Sequence, residues 1–158
     1  DTGAAYCLPA GYEIHDSSLN DIKHELKPSF TRTMLTNMKT AHHIKKDTRG
    51  DDYLPGFIGL TNFKKTDSVN AIIQLLARVV PFQHFFLSQD NHLLENCKSL
   101  LVQNFADVLR RIWNPNSFKR FVGPYQFIHA LSTTSRGQFS VGKRAHCIQL
   151  LQWMLNHM

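Results

Sequence analysis

Apolar side chains recur at helical spacing near the middle of the chain. Four of them stand at positions i, i+3, i+4 and i+7, the pattern of an amphipathic helix with one buried face: Val69, Ile72, Ile73 and Leu76. Residues 66–68 read Thr-Asp-Ser, three helix-capping types, so the helix is predicted to begin there. The N–H groups and positive dipole end of a helix N-terminus suit an anion or an activated nucleophile. This loop and its helix are therefore the first candidate for a functional site.

Five further helices are predicted from apolar spacing, capping residues and prolines, at about residues 19–26, 31–43, 93–113, 124–131 and 145–156. The helix at 93–113 has the clearest apolar face, formed by Cys97, Leu100, Leu101, Phe105, Val108, Leu109 and Ile112. The last helix carries Ile148, Leu151, Trp153 and Leu155. The aromatic residues 81–87 are predicted to form a turn or a short helix after Pro81 ends the central pattern. The pattern alone thus predicts a helical domain with one buried central helix.

The first part of the chain has weaker patterns. Residues 4–14 predict two short strands around a Pro-Ala-Gly turn, and the polar residues 42–52 predict a flexible linker. The adjacent histidines at 42 and 43 would face different sides of a helix and have no third ligand nearby. We interpret them as surface residues and predict no metal site.

Composition narrows the class of protein. A chain of 158 residues with 42% hydrophobic residues suits one domain, or a domain with an extension. We expect no membrane-spanning segment and no signal peptide, because no apolar run of about 18 residues and no basic leader are present. The cysteines Cys7, Cys97 and Cys147 form no C-x-x-C pair, which argues against a zinc site or a disulfide framework and favours a reducing compartment. No cofactor is predicted.

Charge is distributed unevenly along a chain of net charge +6. Residues 98–158 contain eight basic residues and one acidic residue, Asp107. This basic half is compatible with an RNA backbone or an acidic protein as a neighbour. It is equally compatible with a solvated helix face, and both interpretations stay open. We expect no readout of bases, because the basic-glycine-aromatic signature of RNA-recognition domains is missing.

Residues 59–74 read Gly-Leu-Thr-Asn-Phe-Lys-Lys-Thr-Asp-Ser-Val-Asn-Ala-Ile-Ile-Gln. This stretch resembles the cysteine box of ubiquitin-specific proteases, which runs approximately Gly-Leu-x-Asn-x-Gly-Asn-Thr-Cys-Tyr-x-Asn-Ser/Ala-x-x-Gln. Seven positions match in register: Gly59, Leu60, Asn62, Thr66, Asn70, Ala71 and Gln74. The differences lie at the site itself. Asp67 stands where the family has its nucleophilic cysteine, the lysines at 64 and 65 replace the Gly-Asn pair, and Ser68 replaces the aromatic residue.

A second family box, Gln-Gln-Asp-Ala-x-Glu-Phe-Leu, corresponds to residues 144–151. These read Arg-Ala-His-Cys-Ile-Gln-Leu-Leu and have lost both acidic positions. With further similar stretches at 6–22, 53–87 and 113–124, the chain resembles a catalytically inactive branch of the family, a splicing factor of the spliceosomal tri-snRNP.

The resemblance implies a mainly α fold, namely the helical, thumb-like N-terminal half of a papain-like ubiquitin-specific protease domain with a small β remnant at the N-terminus. It also implies that the chain consists of three parts. Residues 1–15 would end a preceding zinc-finger-type ubiquitin-binding domain whose metal ligands are absent, residues 16–52 would be a helical connector and linker, and residues 53–158 would be the protease-like half. The aromatic residues 81–87 would pack in the core rather than stack on bases.

The same resemblance implies that catalysis is lost. A carboxylate at Asp67 keeps a negative charge at the helix N-terminus but lacks the strongly nucleophilic sulfur of a thiolate, so we interpret Asp67 as a helix cap. Asn62 matches the family's oxyanion-stabilising position and is expected to hold the loop instead. The adjacent His146 and Cys147 diverge by about 100° on a helix and cannot form a dyad. No catalytic residue is predicted, and Asn62 and Asp67 are degenerate site positions.

The function implied by the resemblance is a non-catalytic protein-interaction module that supports tri-snRNP assembly in the nucleus. The expected partners are tri-snRNP proteins. Three alternatives stay open: a deubiquitinating hydrolase with an unusual nucleophile, recognition of ubiquitin without cleavage, and binding of an RNA backbone through residues 98–158.

Overall fold

A computed structural model describes residues 28, 30–37, 44–47, 50–88, 91–115, 117 and 119–158. Several predictions from the sequence lie outside these residues: the zinc-finger-type remnant at 1–15 with its strand pair at 4–14, the helix at 19–26, the part of the helix predicted at 31–43 that follows residue 37, and the histidines at 42 and 43. Cys7 also lies outside them.

Helices dominate the described part of the chain. In chain order they are α1 (Arg32–Asn37), α2 (Asp67–Leu76), α3 (Val80–Leu87), α4 (His92–Glu95), α5 (Leu100–Ile112), α6 (Tyr125–Thr134) and α7 (Cys147–His157). The strands have two residues each: β1 (Lys45–Lys46), β2 (Asp52–Tyr53), β3 (Gly59–Leu60) and β4 (Phe121–Val122). The prediction of a mainly α fold is confirmed. Among these helices, none is both long and apolar enough to cross a bilayer.

The core surrounds α5, which packs between α3 and α6. Phe105, at the middle of α5, is completely buried. Its ring lies 5.0 Å from that of Phe86 on α3 and 5.5 Å from that of Phe127 on α6, measured between ring centroids. The central helix α2 packs against α7 and buries the four apolar residues that its spacing predicted. The aromatic segment 81–87 lies within α3, and its Phe86 and Leu87 are buried in the core.

The prediction of one helix over 93–113 is wrong. The chain leaves the helix at Asn96 after α4 and re-enters it at Ser99, whose hydroxyl accepts a hydrogen bond from the N–H of Val102. Asparagine and serine side chains bond to nearby backbone groups and so compete with a continuous helix. Leu100, assigned to the apolar face, is 67% exposed because α5 begins there. Cys97 lies between the two helices and is half-buried against the core.

The last predicted helix is present as α7, but the sequence did not indicate which of its apolar residues are buried. Leu150 and Met154 are its buried residues, whereas Ile148 and Leu155 are exposed. Leu150 and Met154 are four residues apart and therefore lie one above the other on the same side of α7. Leu151 and Trp153 are partly buried and pack against the core. The helix predicted at 124–131 continues three residues further, to Thr134.

A small hairpin stands where the sequence predicted a flexible linker. β1 and β2 pair antiparallel, with Lys45 opposite Tyr53, and Asp47 accepts a hydrogen bond from the N–H of Asp51 across the turn. Arg120 forms ion pairs with Asp47 and Asp51 at 3.6 and 2.7 Å. The described part of this segment is therefore tied to the body of the fold by opposite charges that are far apart in sequence.

Candidate functional site

The candidate site is the loop that joins β3 to α2. β3 pairs in parallel with β4, which places the start of the loop beside residues 120–122. Two polar residues of α2 then fasten the helix to this strand. The side-chain amide of Asn70 donates to the carbonyl of Thr61 at 3.1 Å, and that of Gln74 donates to the carbonyl of Ile58 at 2.8 Å. These positions of the box are therefore structural: they set the distance and angle between strand and helix.

Asn62 closes the loop. Its amide oxygen accepts hydrogen bonds from the backbone N–H and from the hydroxyl of Thr66, at 3.1 and 3.0 Å. The Thr66 hydroxyl accepts in turn from the N–H of Phe63 at 2.9 Å. The loop-holding role expected for Asn62 agrees with this geometry. Thr66, buried and at the N-cap, uses its hydroxyl within the loop and makes no capping hydrogen bond to α2.

The two lysines at the tip of the loop adopt left-handed backbone conformations. Lys64 has φ of 40° and Lys65 has φ of 61°. Each such conformation costs a residue with a side chain roughly 1–2 kcal/mol, and the glycine and asparagine of the related box would tolerate it better. The N–H of Gly142 donates to the carbonyl of Lys64 at 2.8 Å, so a second loop holds this conformation in place.

Asp67 is the first residue of α2 rather than its cap. Its carboxylate is exposed, and no hydrogen bond or ion pair joins it to another group in the described part of the chain. An acidic side chain in the first turn is favourable to the helix dipole by about 0.3–1 kcal/mol. No histidine among the described residues contacts it, so the described part of the chain contains no nucleophile–base pair at this position.

The second box, residues 144–151, lies next to the loop. The hydroxyl of Ser68 donates to the carbonyl of Ala145 at 2.8 Å, which joins the start of α2 to the segment that leads into α7. His146 and Cys147 are both exposed at the start of α7. Within the described ranges, no three histidine, cysteine or acidic side chains cluster as metal ligands would.

A cleft of about 880 Å³ opens beside the loop. One wall is formed by Asn62, Phe63 and Lys64, and the other consists of α6 residues and residues 140–141. Sequence reasoning missed this cleft. Nothing in the linear pattern indicates that the N–H of Gly142 donates to the carbonyl of Lys64.

Comparison with known proteins places the loop in a family. Residues 58–158 match the family described as ubiquitin carboxyl-terminal hydrolase. Two proteins named ubiquitin carboxyl-terminal hydrolase 39, from Mus musculus and Homo sapiens, are 39% identical over 158 residues, covering 96% of this chain and 28% of their own length. The probable mRNA-splicing protein ubp10 of Schizosaccharomyces pombe is 32% identical over 151 residues, covering 96% of this chain and 29% of that protein.

The fold is also found among solved structures. One of them is described as that of an essential yeast splicing factor, with a TM-score of 0.75 and 22% sequence identity, and the similarity covers 98% of this chain and 38% of that one. The chain spans less than a third of the length of the curated relatives named above.

Proposed function

The chain belongs to the ubiquitin carboxyl-terminal hydrolase family, and we propose that it is a non-catalytic member: a protein-interaction module of a pre-mRNA splicing factor that supports tri-snRNP assembly in the nucleus. The observation that carries this proposal is Asp67. By the resemblance of residues 59–74 to the cysteine box, Asp67 stands at the position of the family's nucleophilic cysteine, and it lies in the first turn of α2.

The chemistry of a carboxylate supports the loss of hydrolysis. A carboxylate nucleophile attacks centres with good leaving groups, such as phosphoryl and glycosyl groups. To cleave the amide between ubiquitin and a lysine, Asp67 would have to form an anhydride and expel an amine. An oxyanion-stabilising donor can contribute about 3 kcal/mol, but it acts only when a nucleophile attacks beside it.

The link to splicing rests on two of the similar proteins. One is named a probable mRNA-splicing protein, and the shared fold is that of a splicing factor. A module that keeps the loop, the helix and the core while it lacks the nucleophile still has folded surfaces on which partner proteins can dock. The proposal assigns those surfaces to spliceosomal partners.

The competing function is a ubiquitin hydrolase or a ubiquitin-binding pseudoenzyme, which the names of the mouse and human relatives favour. Ubiquitin would then be the partner in place of a spliceosomal protein. Binding of an RNA backbone through the basic residues 98–158 is a third candidate, and the sequence predicts for it an affinity that falls steeply with salt.

We expect the full-length protein to hydrolyse a fluorogenic ubiquitin–amide reporter no faster than buffer, because Asp67 cannot replace a thiolate. An active ubiquitin-specific protease serves as the positive control. The Asp67→Ala variant should give the same background rate as the unchanged protein. Turnover that disappears in Asp67→Ala would contradict the proposal and assign a nucleophilic role to this carboxylate.

A further inference from the structure

The cleft beside the loop has an apolar interior. Phe63, Tyr125, Ile128 and Val141 line it. Tyr125 and Val141 are 64% and 49% exposed, so the cleft presents uncovered apolar surface to solvent. Its volume of about 880 Å³ is within the range of pockets that bind ligands. A large apolar side chain of a partner would be buried there.

Positive charge lies beside this cleft. Two loops that are distant in sequence meet there through the hydrogen bond from the N–H of Gly142 to the carbonyl of Lys64. The second loop is folded back on itself, because the ammonium group of Lys143 donates to the carbonyl of Gly137 at 2.9 Å. These two loops carry five basic residues: Lys64, Lys65, Arg136, Lys143 and Arg144. Lys64 lines the cleft itself, and Lys65 and Lys143 line a recess that shares Ile128 and Ser140 with the cleft.

Few negative charges oppose this cluster. Within the described residues, none of the five basic side chains forms an ion pair, and the acidic residue in these two loops is Asp67. Other acidic side chains of the described part pair with bases elsewhere: Asp47 and Asp51 with Arg120, Asp52 with Lys46, and Asp107 with Arg111. The cluster therefore attracts an anionic partner, and its field is not cancelled locally.

We infer that this cleft binds an acidic segment of a protein partner, with one large apolar side chain of that segment seated between Tyr125 and Val141 and its carboxylates facing the five basic residues. The inference rests on the proposed non-catalytic role and names the chemistry of the partner. A peptide fits better than RNA because interfaces with nucleic acid are more polar. In addition, the ring of Tyr125 already lies 3.8 Å from that of Phe63, which covers one of the faces that a base would stack on.

The test is a binding titration by fluorescence anisotropy with the full-length protein. The probe is a labelled synthetic peptide rich in aspartate and glutamate with one central leucine. We expect saturable binding that weakens as salt is raised, and about a tenfold loss of affinity when the central leucine is replaced by alanine, because its apolar surface is then no longer buried.

Charge variants locate the site. Lys64→Glu with Lys65→Glu is expected to weaken binding by about tenfold or more, since Lys64 lines the cleft and Lys65 lines the recess next to it, and both substitutions reverse a charge there. The matched control, Lys45→Glu with Lys98→Glu, makes the same change in net charge at exposed positions outside these loops and should bind as the unchanged protein does. A third variant, Lys64→Gly with Lys65→Asn, removes charge while relaxing the left-handed backbone. It should bind more weakly and yet unfold at a higher denaturant concentration, which separates loss of charge from loss of fold.

Three results would overturn the inference: equal binding of a lysine-rich peptide, equal weakening by the control variant, or tighter binding of single-stranded RNA or ubiquitin that competes for the cleft. Failure of this inference can be distinguished experimentally from failure of the proposed function. A charge-reversed protein that loses both the acidic peptide and the spliceosomal RNAs supports both statements. One that loses the peptide but still recovers those RNAs would keep the splicing role and overturn the cleft as its point of contact. A protein that binds the peptide but recovers no spliceosomal RNA would leave the cleft chemistry standing and refute the splicing role.

Discussion

Replacing Phe105 with alanine is expected to lower the free energy of unfolding by about 3–5 kcal/mol. The Phe105 side chain is completely buried, and its ring joins α5 to Phe86 of α3 and Phe127 of α6. Removing it leaves a cavity between three helices, which can close only if all three move. Urea denaturation followed by circular dichroism measures the change.

Leu100→Ala is the matched control for Phe105→Ala. It removes a large apolar side chain from the same helix, but Leu100 is 67% exposed, so the expected loss is below about 1 kcal/mol. Equal losses for the two variants would contradict the packing of α5 between α3 and α6.

Gly56→Ala is expected to destabilise the protein by about 2–5 kcal/mol, from steric overlap combined with an unfavourable backbone. A Cβ at this position would lie 2.5 Å from the ring of Trp113, and Gly56 has φ of +84°. The Trp113 ring cannot move aside easily, because its N–H donates to the carbonyl of Ala77 at 2.9 Å in a buried position. Thermal and urea unfolding both report the loss.

The Gly50→Ala variant separates the cost of steric overlap from the cost of the unfavourable backbone conformation. Gly50 has nearly the same φ, +83°, but a Cβ there would meet nothing within 4 Å. Only the backbone cost of about 1–2 kcal/mol remains. If Gly50→Ala and Gly56→Ala lower the free energy of unfolding equally, the steric contact with Trp113 contributes nothing. The close approach of Gly56 to the Trp113 ring would then be wrong.

The central helix could be predicted because its signal is local. Its four apolar residues follow the helical period, and all four are buried on one side of α2. The resemblance of residues 59–74 to the cysteine box was equally readable, and the family match over residues 58–158 confirms it. A sequence motif of this kind has a fixed spacing between its residues, so it can be recognised from the sequence alone.

Features that depend on distant residues were not predictable in the same way. The break between α4 and α5 depends on whether Ser99 caps a helix or continues one, which apolar spacing does not decide. The hairpin of β1 and β2 is joined to the body by Arg120, nearly seventy residues beyond Asp51. Periodicity within one segment contains no information about such a pairing.

Only the part of the candidate site that lies within one local motif could be predicted from the sequence. Asn62 and Asp67 could be identified from the box, although the structure places Asp67 in the first turn and not at the cap. The cleft requires α6 and residues 140–142 to meet the loop, and the residues that bring them together, Gly142 and Lys64, are joined by a backbone hydrogen bond that has no side-chain signature. The interpretation of Asp67 as a degenerate nucleophile stays a prediction.

The most direct measurement of the central claim is recovery of spliceosomal RNA with the tagged full-length protein from nuclear extract. The account predicts enrichment of the small nuclear RNAs of the tri-snRNP, retained at moderate salt because protein contacts mediate it, and unchanged in the Asp67→Ala variant. Recovery of ubiquitin conjugates without those RNAs would contradict the account and assign the chain to ubiquitin handling.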